Sequence, residues 1–170
     1  MNFLKKTGKV MLFLAMLAGL GAAQAAETDP VEAARKLIAD GKAECVVIRG
    51  GRTYRESGRG VSPLLEFFDH RAPGFLKGAT VVDKVIGRAA AMIVISGGAT
   101  RVHGELMSED AKALLESKGI TVSYGTLVPR ILNADRSDLC PLEKSVEGID
   151  DPEQALTALR KRIEELKSGK

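Results

Sequence analysis

The spacing of apolar and polar positions changes character several times along the chain. Residues 1–25 do not alternate at all. Lys5, Lys6 and Lys9 lead into an apolar run from Val10 to Gly21, and Ala23 and Ala25 then flank Gln24. A positive start, an apolar middle and an A-x-A ending predict a secretory signal peptide, cut after Ala25. The run is shorter than the about 20 residues that cross a bilayer. From there the pattern is helical. "TDPVEAARKLIADGK" reads as a short helix, with Thr28 or Asp29 as cap, Pro30 in the first turn and Gly41 as the stop. "AECVVIRGGRTYRESG" reads as two strands joined at Gly50-Gly51.

"SGRGVSPLLEFFDHRAPG" predicts a glycine-rich loop and then a helix, capped by Ser62 and opened by Pro63. "ATVVDKVIGRAAAMIVIS" is apolar on most faces. Its alanines favour a buried helix from about Asp83 to Met92, and "MIVIS" favours a strand beside it. "ATRVHGE" and "ITVSYG" read as strands around an amphipathic helix, "SEDAKALLESKG", capped by Ser108 and ended by Gly119. "TLVPRILN" reads as a short helix or turn, "ADRSDLCPLE" as a loop, and "DPEQALTALRKRIEELKSGK" as a closing helix. Strands that alternate with helices after an initial hairpin predict an α/β fold: a three-layer α-β-α sandwich with a mixed sheet.

Composition narrows the function classes. Residues 26–170 suit one domain of roughly 100–200 residues. The chain holds 25 Lys+Arg and 22 Asp+Glu, so removal of Lys5, Lys6 and Lys9 leaves 22 of each sign. With no basic excess, five Phe, two Tyr and no Trp, a nucleic-acid partner is not expected. No membrane partner is expected after signal cleavage. The expected location is periplasmic or secreted, where a disulfide between Cys45 and Cys140 is chemically allowed, and two unpaired thiols are the alternative.

Four stretches could carry chemistry. His103-Gly104-Glu105 matches the H-x-E half of a zinc-deaminase signature, but the P-C-x-x-C half is missing: Cys140 precedes Pro141, and Glu143 stands where the second cysteine would. No metal and no cofactor are therefore expected. Gly58, Arg59 and Gly60, before the helix at Ser62, could cradle an anion, or simply form a tight loop. Asp83, Lys84 and Arg88 place charge on an apolar segment, so they need water, partners or a ligand. Cys140 could act as a nucleophile or redox thiol with Lys84 or Glu143 assisting, or merely pack.

"GRGVSPLLEFF", "VVDKVIGRAAAMIV", "SEDAKALLESKGITVSYGTLVPRILNAD" and "CPLE" before "IDDPEQAL" together resemble the bacterial family known as domain of unknown function 1893. The resemblance spans about Val31 to Ile163 and implies a cytidine-deaminase-like fold without the zinc ligands. In that fold the catalytic helix would correspond to the segment beginning near Asp83. It also implies recurring polar positions at Asp83, Lys84, Arg88, Ser108, Cys140 and Glu143. Family members usually look cytosolic, and this chain departs from that in its signal segment. The expectation is an uncharacterised exported domain that binds a small polar or nucleotide-like ligand without zinc-dependent deamination. The alternatives are a metal-independent enzyme using Cys140, and an interaction module forming a homodimer through its sheet edge or C-terminal helix.

Overall fold

The structure is a computed structural model, and it describes residues 29–169. The expected signal segment lies outside the described residues. The element order is α1 (Pro30–Ala39), β1 (Cys45–Arg49), β2 (Arg52–Glu56), α2 (Ser62–Asp69), β3 (Thr80–Ile86), α3 (Arg88–Gly97), β4 (Arg101–Ser108), α4 (Glu109–Ser117), β5 (Thr121–Val128), α5 (Pro141–Ser145) and α6 (Pro152–Lys167). The five strands form one mixed sheet in the order β2-β1-β3-β4-β5. β1 is antiparallel to both neighbours, while β3, β4 and β5 run parallel.

Local chemistry accounts for most boundaries. The Asp29 carboxylate accepts the Val31 N–H at 3.0 Å and opens α1, whose Val31, Ala34 and Ile38 share one buried stripe. β1 and β2 form the expected hairpin. Gly50 and Gly51 both have positive φ, 55° and 71°, which a two-residue turn of this kind demands and side chains resist. Ser108 opens α4 by accepting the Ala111 N–H at 3.2 Å. At α2 the cap position is Val61, and Ser62 instead donates its hydroxyl back to the Arg59 carbonyl at 2.6 Å.

Three expectations are corrected. The helix expected from about Asp83 to Met92 is a strand as far as Ile86, and the helix runs from Arg88 to Gly97. "TVVDKVI" is rich in β-branched residues and pairs with strands on both sides. "MIVIS", expected as a strand, is helical, because Met92, Ile93 and Val94 are fully buried and packing outweighs their weak helix propensity. "TLV" of "TLVPRILN" completes β5 rather than starting a helix, and Pro129 follows its last residue.

Helices cover the sheet unequally. On one face α2, α3 and α4, with α5 and α6 stacked on α3, enclose the main core: Leu64, Phe67, Val81, Met92, Val102, Leu115 and Leu159 among others. On the other face, among the described residues, α1 alone covers a small cluster of Val31, Ala34, Ile38, Ala43, Val46 and Val82.

Within β3, β4 and β5, alternation breaks once, at the same level. Val81 and Ile86 both enter the main core, as do Val102 and Met107, and Val122 and Leu127 pack against it. Side chains five apart on a regular strand would point to opposite faces. The pairing registers skip Lys84, Glu105 and Gly125 at this line. Each strand thus carries a bulge-like irregularity, and the three stay in step. At Gly125 a Cβ would stand 2.8 Å from the Glu105 carbonyl oxygen, so the line closes up only around a glycine.

Candidate functional site

Asp83 and Lys84 stand at the break in β3 and, as neighbours on a strand, point to opposite faces. Asp83 is 6 % exposed and faces the main core, beside Cys45 on β1. One of its carboxyl oxygens accepts the Val85 N–H at 2.9 Å. Burial pushes the Asp83 carboxyl up to about 7, against the pull of that N–H. Lys84 lies on the other face. It is exposed and forms an ion pair with Glu44 at 3.1 Å.

Gly87 ends β3 in an extended conformation and opens α3 without a side-chain cap of its own. The cap comes from α5. Glu143 accepts the Arg88 N–H at 2.8 Å and the Ala89 N–H at 3.0 Å, one on each carboxylate oxygen. A Cβ on Gly87 would stand 2.5 Å from that carboxylate, so glycine is what lets Glu143 in. Burial raises the Glu143 pKa, and the two backbone N–H groups oppose the rise. α5 begins at the corner Cys140-Pro141, with Pro141 in its first turn and the Cys140 N–H bonded to the Ile131 carbonyl at 3.0 Å.

Arg88 follows Gly87 and its donors are taken by the protein itself. Nε donates to the Val146 carbonyl at 3.1 Å and Nη2 to the Ile149 carbonyl and to Asp150, both at 2.7 Å. Nη1 donates to both Asp110 oxygens at 3.1 Å. One guanidinium therefore ties α3 to α4 and to the α5–α6 connection.

A cavity of about 160 Å³ opens where these parts meet, past the C-terminal end of β3. Asp83, Lys84, Gly87, Cys140, Glu143 and Gly60 contribute to its walls. Glu143 and Ile131 also line a wider cleft of about 500 Å³ with Arg88, Ser108, Asp110 and Arg130. Of the glycine-rich loop, Gly60 reaches the cavity, while Arg59 and Ser62 line a different groove, against α6. Gly58 packs beside Ser62 and Pro63. Ser108 spends its hydroxyl on capping α4. Cys45 and Cys140 are both free thiols, and Cys45 is wholly buried.

The H-x-E motif belongs elsewhere. His103 and Glu105 lie on the α1 face, away from Cys140 and Glu143. His103 Nδ1 meets the Ser123 hydroxyl at 2.9 Å, and Nε2 is buried, 3.5 Å from Glu105 and without a hydrogen-bond partner among the described residues. Burial lowers the His103 pKa. Glu105 accepts from Arg35 of α1 at 2.7 and 3.2 Å, and that guanidinium holds its carboxyl below the usual range. Among the described residues no three of His, Cys, Asp and Glu come together at metal-binding distances. Sequence reasoning had singled out neither Glu44 nor Ile131. Gly87 carried a usable signal, a glycine between a β-branched run and an alanine run, where a strand gives way to a helix.

An α/β domain with one lopsided mixed sheet, and with a helix start capped by a distant carboxylate, is the class defined here. The family model for the domain of unknown function DUF1893 matches residues 33–163, and the chain belongs to that family. A crystal structure of a DUF1893 family protein from Thermotoga maritima is similar, with a TM-score of 0.68 and 27% identity. The match covers 82% of this chain and 91% of that one. No curated protein matches.

Proposed function

We propose that the domain binds a small polar ligand whose hydrogen-bond donors enter the cavity beside Asp83 and Glu143. The carrying observation is the pairing of a buried carboxyl, Asp83, with a half-buried one, Glu143, in one cavity of about 160 Å³ past the end of a parallel strand. Such strand ends are where open α/β sheets take ligands. A carboxyl that is neutral or ionised according to its neighbour can accept from an amidine-like edge, as on a nucleobase, and welcomes a cation. A phosphate would face charge of its own sign. Cytidine-deaminase-like architecture is part of this reading. It is supported by the sheet order and by a helix that starts directly after β3 with a cavity at its first turn. Zinc-dependent deamination is not part of it, because His103 lies on the other face. With residues 1–25 as an export signal, the ligand would be met in the periplasm or outside the cell.

The test is an NMR titration of the purified protein with cytosine and, separately, with inorganic phosphate. The Val85, Arg88 and Ala89 amides report on the two carboxyls. Shifts with cytosine that Glu143→Gln reduces at least about tenfold in affinity would support the reading. Silence toward cytosine, or a response to phosphate alone, would overturn it. A reactive-thiol reading keeps the same cavity, since Cys140 is free and lines it. Alkylation of Cys140 no faster than that of a free cysteine peptide would exclude that second reading.

A further inference from the structure

β5 pairs with β4 on one side and has no strand on the other among the described residues. Free edges are normally blunted by charge, proline or brevity. The opposite edge follows that rule: β2 has five residues, of which Arg52, Arg55 and Glu56 are charged. β5 does not. Its eight residues, "TVSYGTLV", include no charge and no proline.

The break in alternation gives this strand an unusual symmetry. Val122 and Leu127 both face the helix-covered side, whereas Ser123, bonded to His103, faces the α1 side. Alternation on either side of the break puts Thr121, Thr126 and Val128 on the α1 side as well. Turned end for end about the Tyr124–Gly125 bond, the strand superposes Val122 on Leu127, Ser123 on Thr126 and Thr121 on Val128, each pair on a common face. Tyr124 falls opposite Gly125, which has no side chain to oppose it. A regular strand of eight residues cannot do this, because residues paired over its full length would face opposite ways.

We propose that β5 is a dimer edge that pairs antiparallel, over its full length, with β5 of a second copy of this chain. A two-fold contact must be complementary to itself, and this strand meets that condition in both face pattern and charge. Opposing an uncharged strand with its own copy sets no like charges against each other. The pairing carries the sheet from five strands to ten. Tyr124 is 41 % exposed and lies next to the two-fold. A groove of about 580 Å³ at the end of the strand, lined by Val128, Val85, Leu106 and Leu132, adds apolar surface to what the main chain contributes. Strand pairing alone falls short of the about 1,200 Å² that stable interfaces bury, so the dimer is expected to dissociate on dilution.

Sedimentation velocity over a dilution series of the purified protein is the test, with hydrogen exchange alongside. The expected result is a monomer–dimer equilibrium, with exchange of the Thr121–Val128 amides slowing as concentration rises. Tyr124→Lys sets two ammonium groups beside the axis and is expected to weaken the dimer about tenfold or more. Leu166→Lys, on the exposed side of α6, is expected to leave it unchanged. A monomer at every concentration would overturn the proposal. So would a dimer that Leu166→Lys dissolves and Tyr124→Lys does not, or one whose β5 amides exchange at the same rate as in the monomer.

Discussion

The two faces of the sheet bury titratable groups of opposite kinds, although those groups are neighbours in the ladder. Asp83 pairs with Gly104 on β4, and the adjacent residue, Val82, pairs with His103. One side chain drops into a thick layer of helices and keeps its proton up to about pH 7. The other lies under the single helix α1 and gives its proton up early. Burial acts on both and always favours the neutral form, so an acid and a base respond in opposite directions. Depth of cover is the second difference. Ile93 is sealed in the main core, whereas Ile38 under α1 retains 7 % exposure.

The largest expected effect tests that difference in cover. Ile93→Ala should cost about 3–5 kcal/mol in a urea melt and Ile38→Ala about 2 kcal/mol. Equal costs would erase the contrast. Next comes Asp83→Asn. Asp83 has a folded pKa raised from 3.8 to about 7, so the folded state holds a proton the unfolded state has lost between those values. Stability from this group is full below pH 3.8 and falls as pH rises to 7. Asp83→Asn stays neutral, so its stability relative to the parent should rise by about 1–4 kcal/mol from pH 4 to pH 7. A flat difference across that range would show that Asp83 is ionised in the fold.

A smaller effect of opposite sign is expected at His103. Its folded pKa lies below 6.5, so the unfolded state gains the proton first and stability falls as pH drops through that region. His103→Gln should flatten this acid-side loss in pH-dependent melts, and a steeper loss would reverse the assignment. The smallest effect is expected at Arg35, half-exposed between Glu32 and Glu105. Arg35→Ala should cost only about 0–1 kcal/mol, and less in high salt. A larger cost would mean that α1 is held by its charges and not by Val31, Ala34 and Ile38.

The pattern of apolar positions was enough to find the hairpin, the capped helices α1 and α4, and the closing helix, because Asp29, Gly50-Gly51 and Ser108 act locally. It misread the segment around Asp83. Alanines and β-branched residues there are all buried, and full burial removes the periodicity that distinguishes strand from helix. The candidate positions Asp83, Gly60, Cys140 and Glu143 do meet at one cavity. What no spacing could reveal is that Glu143 reaches back to cap α3, or that Lys84 is paired with Glu44. Both facts depend on contacts between residues far apart in the chain.

The line through Lys84, Glu105 and Gly125 has a consequence for how this protein can change length. Losing one residue from a half-buried strand usually turns everything beyond it inside out. Here each strand has already made that turn once, at one level of the sheet. Deleting Gly125 would bring Val122 and Leu127 four residues apart and return β5 to plain alternation, with both still facing the helices. The same holds for Val102 and Met107 without Glu105. Between those flanking core residues the inside–outside code tolerates a deletion that it would reject outside them. That stretch is where relatives of differing strand length are expected to gain or lose a residue.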